Sequence, residues 1–250
     1  MISRLFVTGT DTDAGKSLIS AALLEKARQQ GRTTFGLKPV AAGCVLNSNT
    51  EEWQNADALL LQRHSEPQRP YNTHNPVALQ AAIAPHIAAR QEGTPLKLAA
   101  LRDACEERLP TDSDLILVEG AGGWLVPLNY TESLADLAVA LNYPVVLVVG
   151  LRLGCISHAL LSAEAILSRG LPIAGWVANS LSAQMDVETE NLEFLTQSFD
   201  NMGIPCLGHV PFLRDLAARK VGFDAAGGNP LSFMPAPEYI TEVASYLTLP

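Results

Sequence analysis

Gly9-Thr10-Asp11-Thr12-Asp13-Ala14-Gly15-Lys16-Ser17 follows the apolar run Leu5-Phe6-Val7 and opens a stretch that sets Leu18, Ile19, Leu23 and Leu24 along one side. An apolar strand, a glycine-bounded loop and a helix, in that order, are the setting of a phosphate-binding P-loop. Small residues let backbone N–H groups converge on phosphate oxygens, and the helix N-terminus adds positive potential. Lys16 is placed to bridge the β- and γ-phosphates, and Ser17 to offer its hydroxyl to Mg²⁺. Five residues separate Gly9 from Gly15, one more than in the usual pattern, so Thr10 holds the place of the usual first glycine.

Outward from this loop, short apolar runs rich in β-branched residues alternate with segments of helical period, the signature of repeated βα units. Strands are expected at Leu5–Val7, Thr33–Lys38, Leu115–Glu119, Val145–Gly150, Ile173–Asn179 and Cys206–Val210. Several are apolar throughout, as strands buried on both faces require. Helices are expected at about Ser17–Gln30, Leu96–Arg108, Leu134–Leu141, Ser157–Arg169 and Glu188–Met202, with Gly31, Gly170 and Gly203 placed to end three of them. The expected fold is α/β: a doubly wound, mostly parallel sheet with helices on both faces, of the P-loop NTPase type. Asn47 to Pro95, around a short helical patch at Asp57–Gln62, and Gly222 to Pro237 break the rhythm and read as long loops.

The chain has 250 residues, of which 48% are hydrophobic and 17% charged, so it reads as one globular domain over 1–250 and excludes a disordered or collagen-like chain. Its 17 Lys and Arg face 26 Asp and Glu, a formal charge of -9 that disfavours nucleic acid and anionic membranes as partners. Cys44, Cys105, Cys155 and Cys206 form no CxxC pair, which points to a reducing cytoplasm. The apolar run after Met1 is too short for a signal peptide or a membrane anchor.

In a doubly wound sheet, ligands bind beyond the carboxyl ends of the strands. Four strand ends carry polar or glycine-rich chemistry: Lys38-Pro39-Val40-Ala41-Ala42-Gly43, Glu119-Gly120-Ala121-Gly122-Gly123-Trp124, Gly150 to Ser157, and Val177-Ala178-Asn179. Glu119 ends the apolar Leu115-Ile116-Leu117-Val118 as the acidic residue of a Walker B strand does, where a carboxylate holds Mg²⁺ directly or through water. Asp57 fits a first-turn acid facing a helix dipole as well as it fits a ligand. Asn179-Ser180-Leu181-Ser182 lacks the acidic residue that would pair with a guanine amine, which favours adenine.

These motifs, together with Asn55-Ala56-Asp57-Ala58-Leu59, Asn75-Pro76, Pro85-His86, Leu153-Gly154-Cys155-Ile156-Ser157-His158-Ala159 and Gly175-Trp176-Val177-Ala178-Asn179, resemble the dethiobiotin synthetase family from about Phe6 to Leu213. The resemblance implies a cyclo-ligase of biotin biosynthesis. In that reaction 7,8-diaminononanoate takes up CO₂ or bicarbonate as a carbamate, ATP phosphorylates the carbamate, and the second amine closes the cyclic urea, giving dethiobiotin, ADP and phosphate.

The resemblance also implies roles for residues. Lys38 and Lys16 are catalytic, and Ser17, Asp57 and Glu119 hold Mg²⁺. The backbone of Thr12, Asp13, Ala14, Gly15, Lys16 and Ser17 cradles the phosphates of ATP, next to Glu119, Gly120, Ala121 and Gly122. Asn179 and Ser180, with Pro211, Phe212 and Leu213, hold the adenine, and Gly122 and Gly123 line the diamine site. A homodimer is implied, with the Gly150–Ser157 turn of one subunit completing the other's substrate site. Two departures stand out: Ala42 where many members have Ser, and Ser157 in place of a frequent Asn. A ligase for a related diamine is therefore an alternative, as is a P-loop switch ATPase that positions partners. The early-loop lysine common in such switch proteins is replaced here by Thr10 and Asp11. His64, His74, His86, His158 and His209 show no zinc spacing and read as surface or packing residues. Cys155 and Trp176 read as packing, and Trp124 as a possible wall of the crevice.

Overall fold

The computed structural model describes residues 3–213 and 234–250. Six strands, β1 (Ser3–Gly9), β2 (Thr34–Leu37), β3 (Leu115–Glu119), β4 (Val145–Leu151), β5 (Ile173–Ser180) and β6 (Cys206–Val210), form the central sheet. They lie in the order β2-β3-β1-β4-β5-β6, and every pairing is parallel. Around the sheet lie α1 (Lys16–Gln29), α2 (Ala56–Arg63), α3 (Pro85–Gln91), α4 (Leu98–Glu106), α5 (Leu134–Leu141), α6 (Cys155–Ser168), α7 (Glu188–Asn201) and α8 (Pro237–Ser245).

Strand alternation splits the core into two layers. Leu5, Val7, Leu115, Leu117, Val146 and Val148 pack against α1, α2 and α8. Their neighbours Phe6, Ile116, Val118, Leu147 and Val149 pack against α3 to α7. Each such side chain, fully buried, contributes roughly 1.5–3 kcal/mol relative to exposure. The chain leaves β1 for β2, returns through β3 and then crosses to β4 on the other side of β1. The winding direction thus reverses beside β1, and right-handed crossovers place the helices on opposite faces. The carboxyl ends of β1, β3 and β4 frame the resulting crevice.

β3, β6 and α5 begin and end where the sequence places them, and the other expected elements shift by one or two residues at an end. Gly31, Gly170 and Gly203 have φ of 74°, 78° and 71°, the left-handed geometry that terminates α1, α6 and α7.

The Asn47–Pro95 stretch is a correction. It holds a hairpin of Val45–Asn47 with Glu52–Gln54, then α2, a 3₁₀ turn at Tyr71–Thr73, a two-residue parallel pairing of Val40–Ala41 with Val77–Ala78, and α3. Runs of two or three residues are too short to show a period, and hydrogen bonds hold them instead. The Asn55 side chain caps α2 by accepting from the Asp57 and Ala58 N–H groups, and Tyr71 Oη accepts from the Asn55 N–H at 2.8 Å. Of the second expected loop, residues 222–233 lie outside the described residues. Trp124 is a further correction: it is buried edge-to-face against Phe6, with ring centroids 6.3 Å apart, and does not line the crevice. Trp176 is core, as expected, and packs on Phe199. Among the described residues, no helix is long and apolar enough to cross a membrane.

His74 and His64 are buried beneath β2. Burial lowers the proton affinity of both below the ordinary value of 6.5, against the opposing pull of the Gly36 carbonyl on His74 and of Glu25 on His64. The unfolded chain therefore binds protons that the native protein refuses. Stability is full above about pH 6.5 and falls as the pH drops from there toward the native pKa values. Urea unfolding between pH 7.5 and 5 is expected to show this slope. His74→Asn, whose amide can replace Nδ1 against the Gly36 carbonyl, is expected to flatten it; an unchanged slope would refute the assignment.

Candidate active site

A cleft of about 1070 Å³ opens at the carboxyl ends of the strands. Its floor begins with the loop between β1 and α1. Gly15, the residue before α1, has φ of 95°, and a Cβ there would stand 2.2 Å from Asn179 Nδ2. Glycine therefore meets two demands at once, a left-handed turn and contact with the end of β5. No side chain caps α1 and no acid sits in its first turn, so its N-terminal N–H groups remain available to an anion.

Lys16 reaches back over this loop and donates to the Asp11 carbonyl at 3.0 Å. Burial, followed by the nearby positive charge of Lys38, lowers its pKa to about 8 despite Glu119 and Asp57. An arriving phosphate supplies the missing counter-charge and reverses that trend.

Lys38 lies just past the end of β2, with its Nζ buried and surrounded by oxygen. The ammonium is 2.6 Å from Glu119 Oε1, 3.1 Å from Asp57 Oδ2 and 3.1 Å from the Gly120 carbonyl. Burial would lower its pKa, but Glu119 and Asp57 outweigh it and the net direction is upward. Lys38 is thus a fixed cation. Its backbone is clamped as well: its N–H donates to the His74 carbonyl at 2.7 Å, and its own carbonyl accepts from Asn75 Nδ2 at 2.8 Å.

Glu119 is fully buried. Oε1 also accepts from Ser17 Oγ at 2.7 Å, while Oε2 is buried without a protein partner. Asp57, half-exposed in the first turn of α2, has its carboxyl pKa lowered because the Lys38 ammonium overrides the cost of burial. Asp57 thus stands in the first turn of α2, as the helix-dipole reading has it, and its carboxylate also joins the Lys38 cluster. Ser17, Asp57 and Glu119 present a hydroxyl and two carboxylates, and one buried carboxylate oxygen is unspent. That hard-oxygen set, with room for phosphate oxygens and water, fits Mg²⁺. Among the described residues no three His, Cys, Asp or Glu side chains cluster as a metal site.

Of the sequence-predicted residues, Thr12, Asp13, Gly15, Lys16, Ser17, Lys38, Asp57, Ala121, Gly122, Asn179, Ser180, Pro211, Phe212 and Leu213 line the cleft. Ala14, Glu119 and Gly120 stand behind the lining. Ala14 receives the Asn179 amide at 2.9 Å, and Gly120 receives Lys38. Gly123 brings its backbone close to Gly9 and Thr10 rather than lining the cleft. Sequence reasoning missed the clamp by His74 and Asn75, the ion pair of Arg152 with Asp11 that ties the β4–α6 turn to the phosphate loop, and the contact of His209 with Ser180. His209 is part-exposed, and its ring is hydrogen-bonded to Ser180. The helical patch expected at Asp57–Gln62 is α2, and Asn55, two residues before Asp57, is its cap.

A family model described as an AAA domain matches residues 3–220. The ATP-dependent dethiobiotin synthetase BioD of Cellvibrio japonicus is 56% identical over 209 residues, 83% of this chain and 89% of its own. The protein of the same name from Chromohalobacter salexigens is 52% identical over 216 residues, again 83% of this chain and 89% of its own. Among solved structures, the septum site-determining protein MinD of Pyrococcus horikoshii, complexed with Mg-ADP, gives a TM-score of 0.55 at 15% identity over 98% of this chain and 95% of that one. That likeness is one of fold, a P-loop NTPase-like α/β sheet. With more than half of the aligned positions identical to these two synthetases across over four-fifths of its length, the chain belongs to the ATP-dependent dethiobiotin synthetase family.

Proposed function

We propose that the cleft performs the ATP-dependent closure of 7,8-diaminononanoate and CO₂ to dethiobiotin, ADP and phosphate. One observation carries the reading beyond a generic nucleotide site: Lys38 and Lys16, both buried, flank the Ser17–Glu119–Asp57 oxygen set within a single cleft. Two lysines and two carboxylates make the cluster formally neutral, so an incoming phosphate chain and a carbamate meet fixed cations instead of net repulsion.

The chemistry needs positioning and charge more than a protein nucleophile. One amine of the substrate forms a bond to CO₂ and loses a proton, giving a carbamate. A carbamate oxygen then attacks the γ-phosphorus as the bond to ADP breaks. The second amine attacks the carbonyl carbon and loses a proton to solvent, and phosphate leaves with the C–O bonding pair. Lys16 and the N–H groups of residues 12–17 hold the phosphates, and Lys38 sits where charge builds between the carbamate and the transferring phosphoryl group. Ser17, Asp57 and Glu119 hold Mg²⁺, which when bound neutralises phosphate charge. Asn179, Ser180, Pro211, Phe212 and Leu213 receive the base. Gly122, Ala42 and the rim at 82–85 border the diamine. Ala42 offers no hydroxyl, and the lost hydrogen bond weakens diamine binding by about fivefold relative to a serine there.

We infer a homodimer in which the β4–α6 turn completes the partner's substrate site. The support is the family resemblance together with Leu153 and Leu161, which are 96% and 61% exposed on that turn and on α6. A single monomeric species in sedimentation at assay concentrations would remove this part of the reading.

The deciding assay measures phosphate release with ATP, Mg²⁺ and bicarbonate, with and without 7,8-diaminononanoate, and identifies the cyclic urea by mass. Diamine-dependent phosphate together with dethiobiotin is the expected result; slow ATP turnover indifferent to the diamine would move the assignment to another diamine or to a switch ATPase. Lys38→Gln keeps a donor for Glu119 while removing the charge, and is expected to lower kcat by at least about a hundredfold. Near-normal turnover would sink the role of Lys38. Glu119→Gln is expected to raise the Mg²⁺ concentration required far more than the KM for the diamine, and titrations giving the reverse order would refute the metal role.

A further inference from the structure

On the β5–β6 side of the cleft, three side chains that the phosphate chemistry does not use form one network. Ser180, at the end of β5 and lining the cleft, has its Oγ 3.0 Å from Glu188 Oε1 and 2.8 Å from His209 Nε2. Glu188 opens α7 and His209 comes from β6, so three separate elements converge on one hydroxyl. The His209 and Glu188 groups are themselves 3.7 Å apart.

Donor arithmetic fixes the direction of both bonds. An ionised carboxylate only accepts, and a serine hydroxyl has a single proton. The Ser180 proton therefore goes to Glu188. His209 Nε2 must then carry a hydrogen and donate it to Ser180 Oγ. The neutral ring protonated on Nε2 and the imidazolium both satisfy this, so the assignment is independent of the charge on His209. Ser180 is left with one lone pair and no proton for the cleft. Beside it, Asn179 is oriented by its Nδ2 donating to the Ala14 carbonyl at 2.9 Å.

We propose that Glu188 and His209 act as positioning residues that hold Ser180 as an acceptor-only contact, making the base pocket select adenine over guanine. This rests on the reading of the cleft as an ATP site. Adenine carries a donating amino group at the edge where guanine carries the O6 acceptor. An amino group satisfies the Ser180 lone pair, whereas O6 would face it acceptor to acceptor and leave both unpaired in a desolvated pocket. No acidic residue reading guanine is needed for the discrimination, and none stands in the Asn179-Ser180-Leu181-Ser182 stretch.

The test is the ratio of dissociation constants for ATP and GTP, each with Mg²⁺, measured by titration calorimetry on the wild type, Ser180→Ala and Glu188→Gln, with thermal unfolding to verify that each is folded. Wild type is expected to prefer ATP. Ser180→Ala should reduce that preference by about fivefold, the value of one hydrogen bond. Glu188→Gln supplies an amide that can donate to Ser180 Oγ and free its proton for the cleft, so the ratio should fall at least as far, with GTP gaining in absolute affinity. A preference within twofold of wild type in Ser180→Ala would overturn the specificity role. A loss in Ser180→Ala with no change in Glu188→Gln would overturn the relay through Glu188. Equal binding of the two nucleotides by wild type would overturn the proposal while leaving the nucleotide site standing. Failure of the folded wild type to bind either would overturn the ATP reading and this proposal with it.

Discussion

The ion pair of Lys38 with Glu119 is the constraint on which the rest of the site depends. Strands β2 and β3 are parallel neighbours with Leu37 opposite Val118, so the next residue of each, Lys38 and Glu119, emerges side by side at the sheet's edge. Strands sit about 4.8 Å apart, which brings a lysine and a glutamate within contact without a loop to position them. Both charges are buried, and desolvating two ions costs several kcal/mol each unless their remaining hydrogen-bonding capacity is met. Asp57, the Gly120 carbonyl and Ser17 meet most of it. Each of these partners is thereby drawn to a fixed place, and the phosphate loop, β3 and α2 are tied to a common point.

Electrostatic preorganisation follows. Lys16 and Lys38 repel each other, and the two carboxylates hold that repulsion in check. Hydrogen bonds to Glu119, Asp57 and the Gly120 and Asp11 carbonyls fix both ammonium groups in place, the condition for electrostatic preorganisation. The proton affinities of the two lysines diverge, upward for the paired Lys38 and downward for the sparsely paired Lys16, although both have the same chemistry and lie in one cleft. Environment alone separates a lysine held firmly charged from one whose charge is held loosely.

The sheet and the phosphate loop were legible because their signals are local and periodic. Leu115–Glu119 and Leu134–Leu141 are uninterrupted patterns with polar ends, and their limits match the structure residue for residue. Glu119 and Lys38 could be named because strand ends in this topology face the ligand. The Asn47–Pro95 stretch was opaque for the opposite reason. Its two- and three-residue pairings are too short to carry a period, and its Tyr71–Asn55–Asn75 hydrogen bonds run through single side chains that no pattern records. The Ser180–Glu188–His209 network was hidden in the same way, since its members are separated in sequence and meet only when β5, α7 and β6 assemble. Trp124 was misplaced because adjacency to a glycine pair says nothing about which face of the sheet a ring will enter.

The 79–95 rim has a bearing on how such a protein can diversify. Ala82, Ile83, Ala84 and Pro85 border the cleft with apolar side chains, and this segment is anchored to residues 41–44 through the Ala81 and Leu79 carbonyls and the Leu79 N–H, and braced within itself by a Gln80–Glu92 bond, none of which involves the side chains of Lys38, Glu119 or Asp57. Replacements there leave the buried charges undisturbed. Exchanges at the exposed Ala82, Ile83 and Ala84 act on the cleft border without touching the core, whereas exchanges at Asn75 or His74 loosen the clamp on Lys38. Exchanges of a few small side chains there reshape the cleft's apolar border while the buried charge cluster keeps its geometry.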